Sequence, residues 1–497
     1  MENQEPSKRP TVVIVSGPFQ GHLSPMLDLG NVLYSKGFGV IFAHTVFNAP
    51  DPSKQPDLIF LPMQENLADH QILPGDIIAL VNILNKNCEE PLKKGLSEIM
   101  NRLEPENQVV CIICDMFMYF SESVARDLKL QCMIFRTSSA SSALAYHALS
   151  RLQTEGYIPR KDSALDDVVP GLPLLRFRDI PTADMGTLQD AIDLTDNICN
   201  TRTSSAIICN TVDYLEPDEI VQFQHIYPVH YFPIGPLHMI APTSSSSLLE
   251  ADTNCLIWLD KQAPRSVIYV SVGSLAILEK EELAEMAWGL ASSNHPFLWV
   301  VRSDAVPESE WADLIPEGFM ETVGERGCIV KWAPQKEVLG HNAVGGFWSH
   351  CGWNSTLESI SAGVPMICWP CFSDQKVNSR YLSHVWKVGL ELDHKLERGV
   401  IKESMQRLMA GKEGEEIRVR ANDMQHKMKM SVSEGGLSYA SLRAVVRDSA
   451  VNRGGNCGGS SNVGAQWSAE CAEIAMAFFG LELARQNVVS TVKKEIA

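Results

Sequence analysis

The sequence lacks the features expected of a membrane protein, a secreted protein or a nucleic-acid-binding protein. No apolar run reaches the roughly 18 residues of a membrane-spanning helix, and the first one, TVVIV at 11–15, is too short for a signal peptide. Positive charge is also scarce, because 42 Lys and Arg face 60 Asp and Glu and leave a net charge of -18 with no basic stripe. We therefore expect a soluble, cytoplasmic protein with no nucleic-acid partner.

Several signatures of nucleotide, metal and hydrolytic chemistry are missing as well. No GxGxxG motif follows a strand and no GxxxxGK[ST] motif is present, so the fingerprints of dinucleotide binding and of a P-loop are absent. The sequence has no HExxH motif, no acidic cluster suited to a metal ion and no GxSxG hydrolase elbow. We expect no metal and no other cofactor.

Thirteen cysteines are present, mostly within apolar runs such as VVCIICD and PMICWPC. Cys111 and Cys114 lie three apart in a predicted strand, where their side chains point to opposite faces and cannot share a metal. Cys368 and Cys371 flank Trp-Pro, and a redox pair is the alternative interpretation there. Without a secretion signal or a second pair at zinc-ribbon spacing, we interpret the cysteines as reduced, buried and structural.

The N-terminal half repeats one unit, a short apolar run followed by a turn and a segment of helical periodicity. The runs TVVIVSG, GVIFAH, DLIFLP, QVVCIICD and QCMIFRT predict strands. The segment after the first run places six residues on one helical face: Leu23, Met26, Leu27, Gly30, Leu33 and Tyr34. Near-continuous apolar strands that alternate with helices predict a parallel sheet covered on both faces.

The same alternation restarts after a segment rich in proline and serine. Residues 234–256 break the pattern, and we place a linker at 241–256. The runs SVIYVSVGS, HPFLWVVR, GCIVKWAP, VGGFWSH, VPMICWP and VGLELD follow. The sequence therefore predicts an α/β protein with two doubly wound domains, 1–240 and 257–449, that face each other across a ligand-binding cleft.

The remaining residues, 450–497, form a tail rich in glycine and serine. Its second half has the spacing of an amphipathic helix, carried by four residues: Ile474, Phe478, Leu481 and Arg485. We expect the Gly/Ser-rich part not to fold by itself.

The segment HCGWNSTLESISAGVP follows the predicted strand VGGFWSH and predicts a helix that begins at Asn354 or Ser355. The first N–H groups of a helix lack intrahelical partners and, together with the helix dipole, favour an anion. Gly352 lets a ligand approach the backbone, while His350 and the first helical side chains add donors. The alternative is a capping box with Ser355 as N-cap and Glu358 at N3.

The region around this helix resembles a known family. Residues 332–375, WAPQKEVLGHNAVGGFWSHCGWNSTLESISAGVPMICWPCFSDQ, resemble the signature box of plant UDP-dependent glycosyltransferases, the plant secondary product glycosyltransferases. PFQGHLSPML and YVSVGS extend the resemblance to about residues 8–449, and VLYSKGF resembles the subgroup of steviol glycoside and cytokinin glucosyltransferases. The resemblance implies a GT-B fold, with two Rossmann-like domains and the UDP-sugar bound mainly by the second.

The resemblance also implies a role for each position of a UDP-sugar site. Trp332 should stack on uracil and the Ala333 backbone should read its edge. The ribose hydroxyls should be held by Gln335 and Glu358. The diphosphate should be held by four residues: Ser274, His350, Asn354 and Ser355. The sugar should be contacted by three residues: Trp353, Asp374 and Gln375. Since family members whose box ends in Gln generally prefer UDP-glucose, we expect that donor.

Two residues near the carboxyl ends of predicted strands are candidates for catalysis. His22, in the loop after the first strand, has a side chain whose pKa suits proton abstraction near neutral pH. Asp115 directly follows VVCIIC. The resemblance implies that His22 is the base and that Asp115 orients its imidazole. The alternatives are a structural loop histidine and, for Asp115, the N-cap of a helix in MYFSESVARDL.

Together these assignments predict a direct displacement with inversion that gives a β-glucoside. His22 would take the acceptor proton while His350 and the helix at Asn354 stabilise the leaving diphosphate without a metal. The acceptor pocket should be formed by segments around Phe19, 117–119, 137–142 and 185–188. These segments are apolar with scattered hydroxyls, which suits a small hydrophobic acceptor such as a phenolic, a terpenoid or a hormone.

The sequence does not choose among these acceptors or decide whether O, N or S is glucosylated, and we expect a monomer. Two other functions stay open at this point. One is a sugar-nucleotide-binding protein that has lost turnover, and the other is the redox protein built on Cys368 and Cys371.

Overall fold

The computed structural model describes residues 9–67, 76–182, 187–200, 204–227, 229–242, 247–303, 315–392 and 395–450. Within these ranges the strands are β1 (Thr11–Val15), β2 (Gly39–Thr45), β3 (Ile59–Met63), β4 (Val109–Asp115), β5 (Gln131–Arg136), β6 (Val168–Val169), β7 (Leu172–Arg176), β8 (Ala206–Cys209), β9 (His230–Pro233), β10 (Val267–Ser271), β11 (Phe297–Val300), β12 (Gly327–Val330), β13 (Val344–Ser349), β14 (Met366–Cys368) and β15 (Gly389–Glu391).

The helices of the same ranges are α1 (Gln20–Ser35), α2 (Ile77–Asn87), α3 (Glu89–Met100), α4 (Ser121–Asp127), α5 (Ala140–Thr154), α6 (Leu188–Cys199), α7 (Pro217–Ile226), α8 (Asn254–Leu259), α9 (Lys280–Ser293), α10 (Phe319–Val323), α11 (Gln335–Gly340), α12 (Trp353–Ala362), α13 (Gln375–Arg380), α14 (Arg398–Met409), α15 (Gly411–Val432) and α16 (Leu437–Ala450). None of the helices in the described ranges has the length and apolar character needed to cross a bilayer.

The first sheet has seven strands in the order β3-β2-β1-β4-β5-β8-β9, and every neighbouring pair is parallel. The predicted apolar runs form its first five strands, whereas the short strands β8 and β9 were not predicted. The strand order reverses between β1 and β4, so the loops after these two strands diverge and open a crevice at the carboxyl edge. The prediction of a parallel sheet in the N-terminal half is confirmed.

The second sheet has six parallel strands in the order β12-β11-β10-β13-β14-β15. Alternate residues of β10 enter different cores: Val267 and Tyr269 pack in one, Ile268 and Val270 in the other. Both faces of this sheet are therefore covered, as near-continuous apolar strands require. Its order reverses between β10 and β13, which places the segment starting at His350 at the second switch point.

Two segments join the lobe built on the first sheet to the lobe built on the second sheet. Helix α8 follows the prolines and serines of the predicted linker and begins within its bounds. The described part of the linker includes Ser247 and Leu248. At the other end α16 returns to the first sheet, where Ser449 lies beside Cys111 of β4. The predicted tail helix around Ile474 to Arg485 lies outside the described residues.

Candidate active site

A cavity of about 730 Å³ lies between the two sheets. It is lined by His22 and by every residue that the resemblance assigned to the UDP-sugar: Ser274, Trp332, Ala333, Gln335, His350, Trp353, Asn354, Ser355, Glu358, Asp374 and Gln375. Asp115 is fully buried directly behind His22. The tertiary structure thus gathers residues that are up to several hundred positions apart into one cleft.

His22 and Asp115 form a hydrogen-bonded pair. Nδ1 of His22 lies 2.7 Å from Oδ2 of Asp115, and Thr137 Oγ1 lies 3.2 Å from the same nitrogen. Because the carboxylate accepts the Nδ1 proton, Nε2 is left as the basic nitrogen of the ring. The imidazole also stacks on Phe117, with ring centroids 4.4 Å apart. Contacts on several sides therefore fix both the tautomer and the orientation of the ring.

The local environments of this pair correct two sequence interpretations. Helix α1 begins at Gln20, so His22 lies in its first turn and not in the preceding loop. Asp115 does not cap a helix, because α4 begins at Ser121 with Phe120 as its N-cap. Its Oδ1 instead accepts a hydrogen bond from the backbone N–H of Phe117 at 2.8 Å, a turn that directs Oδ2 toward the imidazole.

Helix α12 begins at Trp353, one residue before the earlier of the two predicted starts, with Gly352 as its N-cap and no side-chain cap. The capping-box alternative is therefore wrong, because Ser355 lies inside the first turn. Its hydroxyl accepts a hydrogen bond from Nε2 of Gln335 at 2.9 Å. The first backbone bond of the helix runs from Thr356 N to Gly352 O, which leaves the first-turn N–H groups without intrahelical partners. This end of the helix can bind an anion.

His350 lies between two glycines beside that helix start. A Cβ added at Gly273 or at Gly352 would come within 2.5 Å of its Nε2, and Gly273 also has a φ of +79°. Burial, with the charge of Arg302 adding to it, lowers the pKa of His350 to about 4, although a hydrogen bond that the Ser271 backbone accepts from the ring opposes the shift. The imidazole is therefore neutral near pH 7, and its ring nitrogens can form hydrogen bonds with a diphosphate.

The nucleoside end of the cleft is organised around Gln335, the first residue of α11. Its Nε2 donates to Glu358 Oε2 at 2.8 Å, and its Oε1 accepts from the Tyr269 hydroxyl at 3.2 Å. Burial raises the pKa of Glu358, although the nearby charge of Lys336 opposes this. The indole nitrogen of Trp332 donates to Ser247 Oγ at 2.9 Å, so a residue of the predicted linker orients this ring.

The sugar end contains Asp374 and Gln375, which follow β14. Burial raises the pKa of Asp374, and the proximity of His22 acts against the shift, so this carboxyl group lies close to the predicted base. Gln375 Oε1 accepts hydrogen bonds from the N–H groups of Cys371 and Phe372 at 2.9 and 3.2 Å. The amide nitrogen remains as a donor. Trp353, the third residue assigned to the sugar, also lines the cavity, but its indole N–H is already used in a hydrogen bond to the Asn210 carbonyl at 2.7 Å.

Two residues that the sequence analysis did not identify support the donor site. Arg302 ends the run HPFLWVVR and donates to the carbonyl groups of Gly273 and Ala276, which fixes the loop after β10. Asn378 on α13 donates to Asp374 Oδ2 and to the Cys351 carbonyl, both at 3.0 Å. For Arg302 the sequence did offer a signal, because a charged residue at the end of an apolar strand is unusual. Asn378 gave none.

Three of the four predicted acceptor segments line the same cleft, through Phe19, Phe117, Thr137 and Ser138. In the fourth segment the described residues, Thr187 and Leu188, are not among those that line it. Met185 lies outside the described residues, and so does Gly186. The polar groups here are few and the surrounding rings are apolar, as expected for a pocket that binds a small hydrophobic molecule.

The redox and metal alternatives find no support in the described part of the chain. Its eleven cysteines are all free thiols, and burial raises the pKa of Cys371 to about 12, the opposite of the low pKa of a reactive thiol. Cys111 lies beside Ser449, whereas Cys114 Sγ lies 3.7 Å from Cys132 Sγ. No group of three or more metal-ligating side chains is found in the described ranges.

Two parallel Rossmann-like sheets with a nucleotide-type cleft between their carboxyl ends define the GT-B class of glycosyltransferases. The family model "UDP-glucoronosyl and UDP-glucosyl transferase" matches residues 217–422. UDP-glycosyltransferase 76E1 of Arabidopsis thaliana is 43% identical over 434 residues, which cover 87% of this chain and 95% of that protein. The Arabidopsis thaliana flavonol 3-O-glucosyltransferase UGT76E12 is 43% identical over 450 residues, covering 89% and 97%.

Among solved structures, Phytolacca americana UGT2 complexed with UDP-2fluoro-glucose and pterostilbene superposes with a TM-score of 0.75 at 29% identity, covering 89% of this chain and 100% of that one. The chain belongs to the plant UDP-glycosyltransferases. It is a glycosyltransferase whose donor is a UDP-sugar, and the GT-B prediction is confirmed.

Proposed function

We propose that this enzyme transfers glucose from UDP-glucose, with inversion, to a hydroxyl group of a small and largely apolar acceptor. The observation that carries the proposal is the 2.7 Å hydrogen bond between His22 Nδ1 and Asp115 Oδ2 at the wall of the donor cleft. It leaves Nε2 of His22 as the nitrogen that can accept a proton, held beside the residues assigned to the sugar. A protein that bound UDP-sugars without turnover would have no use for this pair.

The proposed reaction is a single displacement. The acceptor oxygen forms a bond to C1 of glucose while the bond from C1 to the diphosphate oxygen breaks and its electron pair leaves with UDP. The acceptor proton passes to Nε2 of His22, and Asp115 stabilises the resulting imidazolium. The N–H groups at the start of α12 and the neutral ring of His350 take up the charge that develops on the diphosphate. C1 is inverted because attack and departure occur on opposite faces.

Glucose as the donor sugar rests on Gln375. Two backbone hydrogen bonds hold its side-chain oxygen, so the amide nitrogen has a defined position as a donor to a sugar hydroxyl. The relative UGT76E12 is a flavonol glucosyltransferase by name, and the neighbour from Phytolacca americana was solved with a fluorinated UDP-glucose. That neighbour is also complexed with pterostilbene, which is consistent with a small aromatic acceptor for this chain.

The proposal is tested with His22→Ala and a surface control, His225→Ala, whose imidazole lies on the exposed side of α7. UDP is titrated by calorimetry in the presence of a chelator, and glucosylation of a panel of phenolic, terpenoid and hormone-like acceptors is measured with UDP-glucose. We expect His22→Ala to lower kcat roughly 10²- to 10⁴-fold with UDP affinity nearly unchanged. The control should behave as wild type.

Three results would count against parts of the proposal. A large loss of UDP affinity in His22→Ala would make His22 a structural residue. UDP binding by wild-type protein without transfer to any acceptor would favour the inactive nucleotide-sugar-binding protein. A product with the α configuration, read from the anomeric proton coupling by NMR, would exclude the single inverting displacement.

A further inference from the structure

A buried arginine lies in the acceptor half of the cleft. Arg136 is the last residue of β5, is 2% exposed, and lines the same cavity as His22. Within the described ranges its guanidinium donates to two sulfur atoms, Met116 Sδ at 4.0 Å and Cys199 Sγ at 3.9 Å, and its Nε has no hydrogen-bond partner there. Sulfur is a weak acceptor, so the five donors of this guanidinium are poorly satisfied.

The charge of Arg136 is also uncompensated by any carboxylate in the described ranges. Phe223 and Tyr227 approach the guanidinium with their rings, at 5.2 and 5.8 Å, but no Asp or Glu of these ranges forms an ion pair with it. Arg176 shows the usual solution, since it pairs with both Asp179 and Glu391. A buried cation without a counter-ion is unfavourable, and this cation stays beside a cavity that an anion can enter.

The positive charge of Arg136 affects the pKa of the neighbouring Cys199 thiol. Burial acts to raise the pKa of Cys199, but hydrogen bonding from His147 and the charge of Arg136 outweigh it and lower the pKa. Since the charge of Arg136 favours the thiolate form of a buried cysteine, it should interact far more strongly with a carboxylate. A carboxylate also fits the planar guanidinium through two parallel hydrogen bonds.

The position of Arg136 relative to the base defines what such an anion would be. The next residue, Thr137, has its hydroxyl 3.2 Å from His22 Nδ1, and Met116 directly follows Asp115. Arg136 therefore lies next in sequence to a residue that contacts His22, and it contacts Met116, which directly follows Asp115 at the end of the neighbouring strand β4. A small molecule that holds an anionic group at Arg136 can present a second group to His22.

Resting on the function proposed above, we infer that Arg136 binds a carboxylate of the acceptor, and that the acceptor class is a hydroxylated carboxylic acid glucosylated on its hydroxyl. The carboxylate pairs with the guanidinium and is thereby kept away from C1. The hydroxyl oxygen at His22 attacks C1, its proton goes to Nε2, and UDP leaves with the electrons of the broken bond. The apolar residues of the pocket would cover the carbon skeleton between the two groups.

The test compares 4-hydroxycinnamate with its methyl ester, which removes the charge and little else. Each is titrated into the UDP complex near neutral pH, and each is offered with UDP-glucose for transfer. We expect the wild-type protein to bind the acid at least about tenfold more tightly than the ester. In Arg136→Met the ratio of the two affinities should fall to about one, while Arg126→Met, which removes a surface arginine on α4, should keep the wild-type ratio.

Further outcomes decide the remaining points. Should Arg136→Met not fold, Arg136→Lys retains the charge without the fork and should reduce the ratio by roughly threefold or more. An ester bound by wild type as tightly as the acid would overturn the inference. If Cys199→Ser then restored a preference for the acid, Cys199 would be identified as the counter-ion of Arg136. Glucose found on the carboxyl group, as an ester cleaved by mild base, would overturn it too. Acid-selective binding without any transfer would uphold the Arg136 site and contradict the proposed glucosyl transfer.

Discussion

Nδ2 of Asn354 donates a hydrogen bond to the carbonyl oxygen of Gly21 at 2.8 Å. This contact joins the first turn of α12, where the diphosphate should bind, to the first turn of α1, one residue before His22. The starts of both helices therefore face the same cleft and hold a defined spacing. The proposed base and the proposed diphosphate site belong to different lobes, so we expect this hydrogen bond to help set the distance over which the proton and the sugar are transferred.

Asn354→Ala should therefore affect the chemical step more than binding. Loss of this one hydrogen bond should lower kcat by about tenfold, while the Kd for UDP changes by less than about threefold. The measurement combines steady-state kinetics with a UDP titration. The family resemblance implied instead that the Asn354 side chain holds the diphosphate, whereas its amide nitrogen is engaged by Gly21. If the Kd rises tenfold and kcat stays the same, that implied role is right and the contact with Gly21 contributes nothing to turnover.

Asp115→Asn should keep the shape of the site but disturb the imidazole tautomer. An asparagine NH₂ group facing Nδ1 favours the ring form protonated on Nε2, which cannot accept the acceptor proton. We expect kcat to fall by roughly 10³- to 10⁴-fold with UDP affinity preserved. Asp127→Asn, on the exposed end of α4, removes the same charge as a control. Activity near the wild-type value would mean that His22 does not need its carboxylate partner.

The two glycines beside His350 should not tolerate a side chain. In Gly352→Ala the new Cβ would lie 2.5 Å from His350 Nε2, so the ring or the start of α12 must move. We expect the Kd for UDP to rise by about tenfold or more. Gly399→Ala is the matched control, because nothing lies within 4 Å of its Cβ position. Calorimetry on both variants decides, and an unchanged Kd for Gly352→Ala would place the diphosphate elsewhere.

The lowered pKa of His350 predicts a pH dependence of stability. Its folded value is about 4 against 6.5 for the free side chain, so between these values the unfolded chain binds more protons than the folded one. Stability from this residue is present above pH 6.5 and is lost as the pH falls toward 4. His238, whose pKa burial lowers to about 3, acts in the same direction.

The contribution of His350 is isolated by measuring urea unfolding at pH 7 and pH 5 for wild type and for His350→Gln. Acidification should reduce the free energy of unfolding more in wild type than in the variant, by up to about 1.4 kcal/mol per pH unit. All other titrating groups are common to both proteins and cancel in the difference. An equal loss in the two proteins would show that His350 titrates normally in the folded state.

Much of the architecture could be predicted from local patterns. The apolar runs became β1 to β5 and β10 to β15, because strands buried on both faces need continuous apolar sequence. Boundaries were less accurate, and the short strands β6, β7, β8 and β9 were missed because runs of two to five residues barely differ from other segments. The capping box at Ser355 failed for a related reason, since a Ser-x-x-Glu pattern cannot tell an N-cap from a position three residues inside the helix.

The sequence by itself determined the chemistry of the chain, that is, its residue types and their positions along strands and helices. Family resemblance supplied the donor residues, and all of them line one cleft. What required the tertiary structure were the contacts between distant positions: His22 with Asp115, Asn354 with Gly21, and Arg136 buried without a carboxylate partner in the described ranges. Local sequence encodes the period of an element and its ends. Which side chains meet, and which charge is left unpaired, follows from how the two sheets and their helices pack, and no local pattern contains that information.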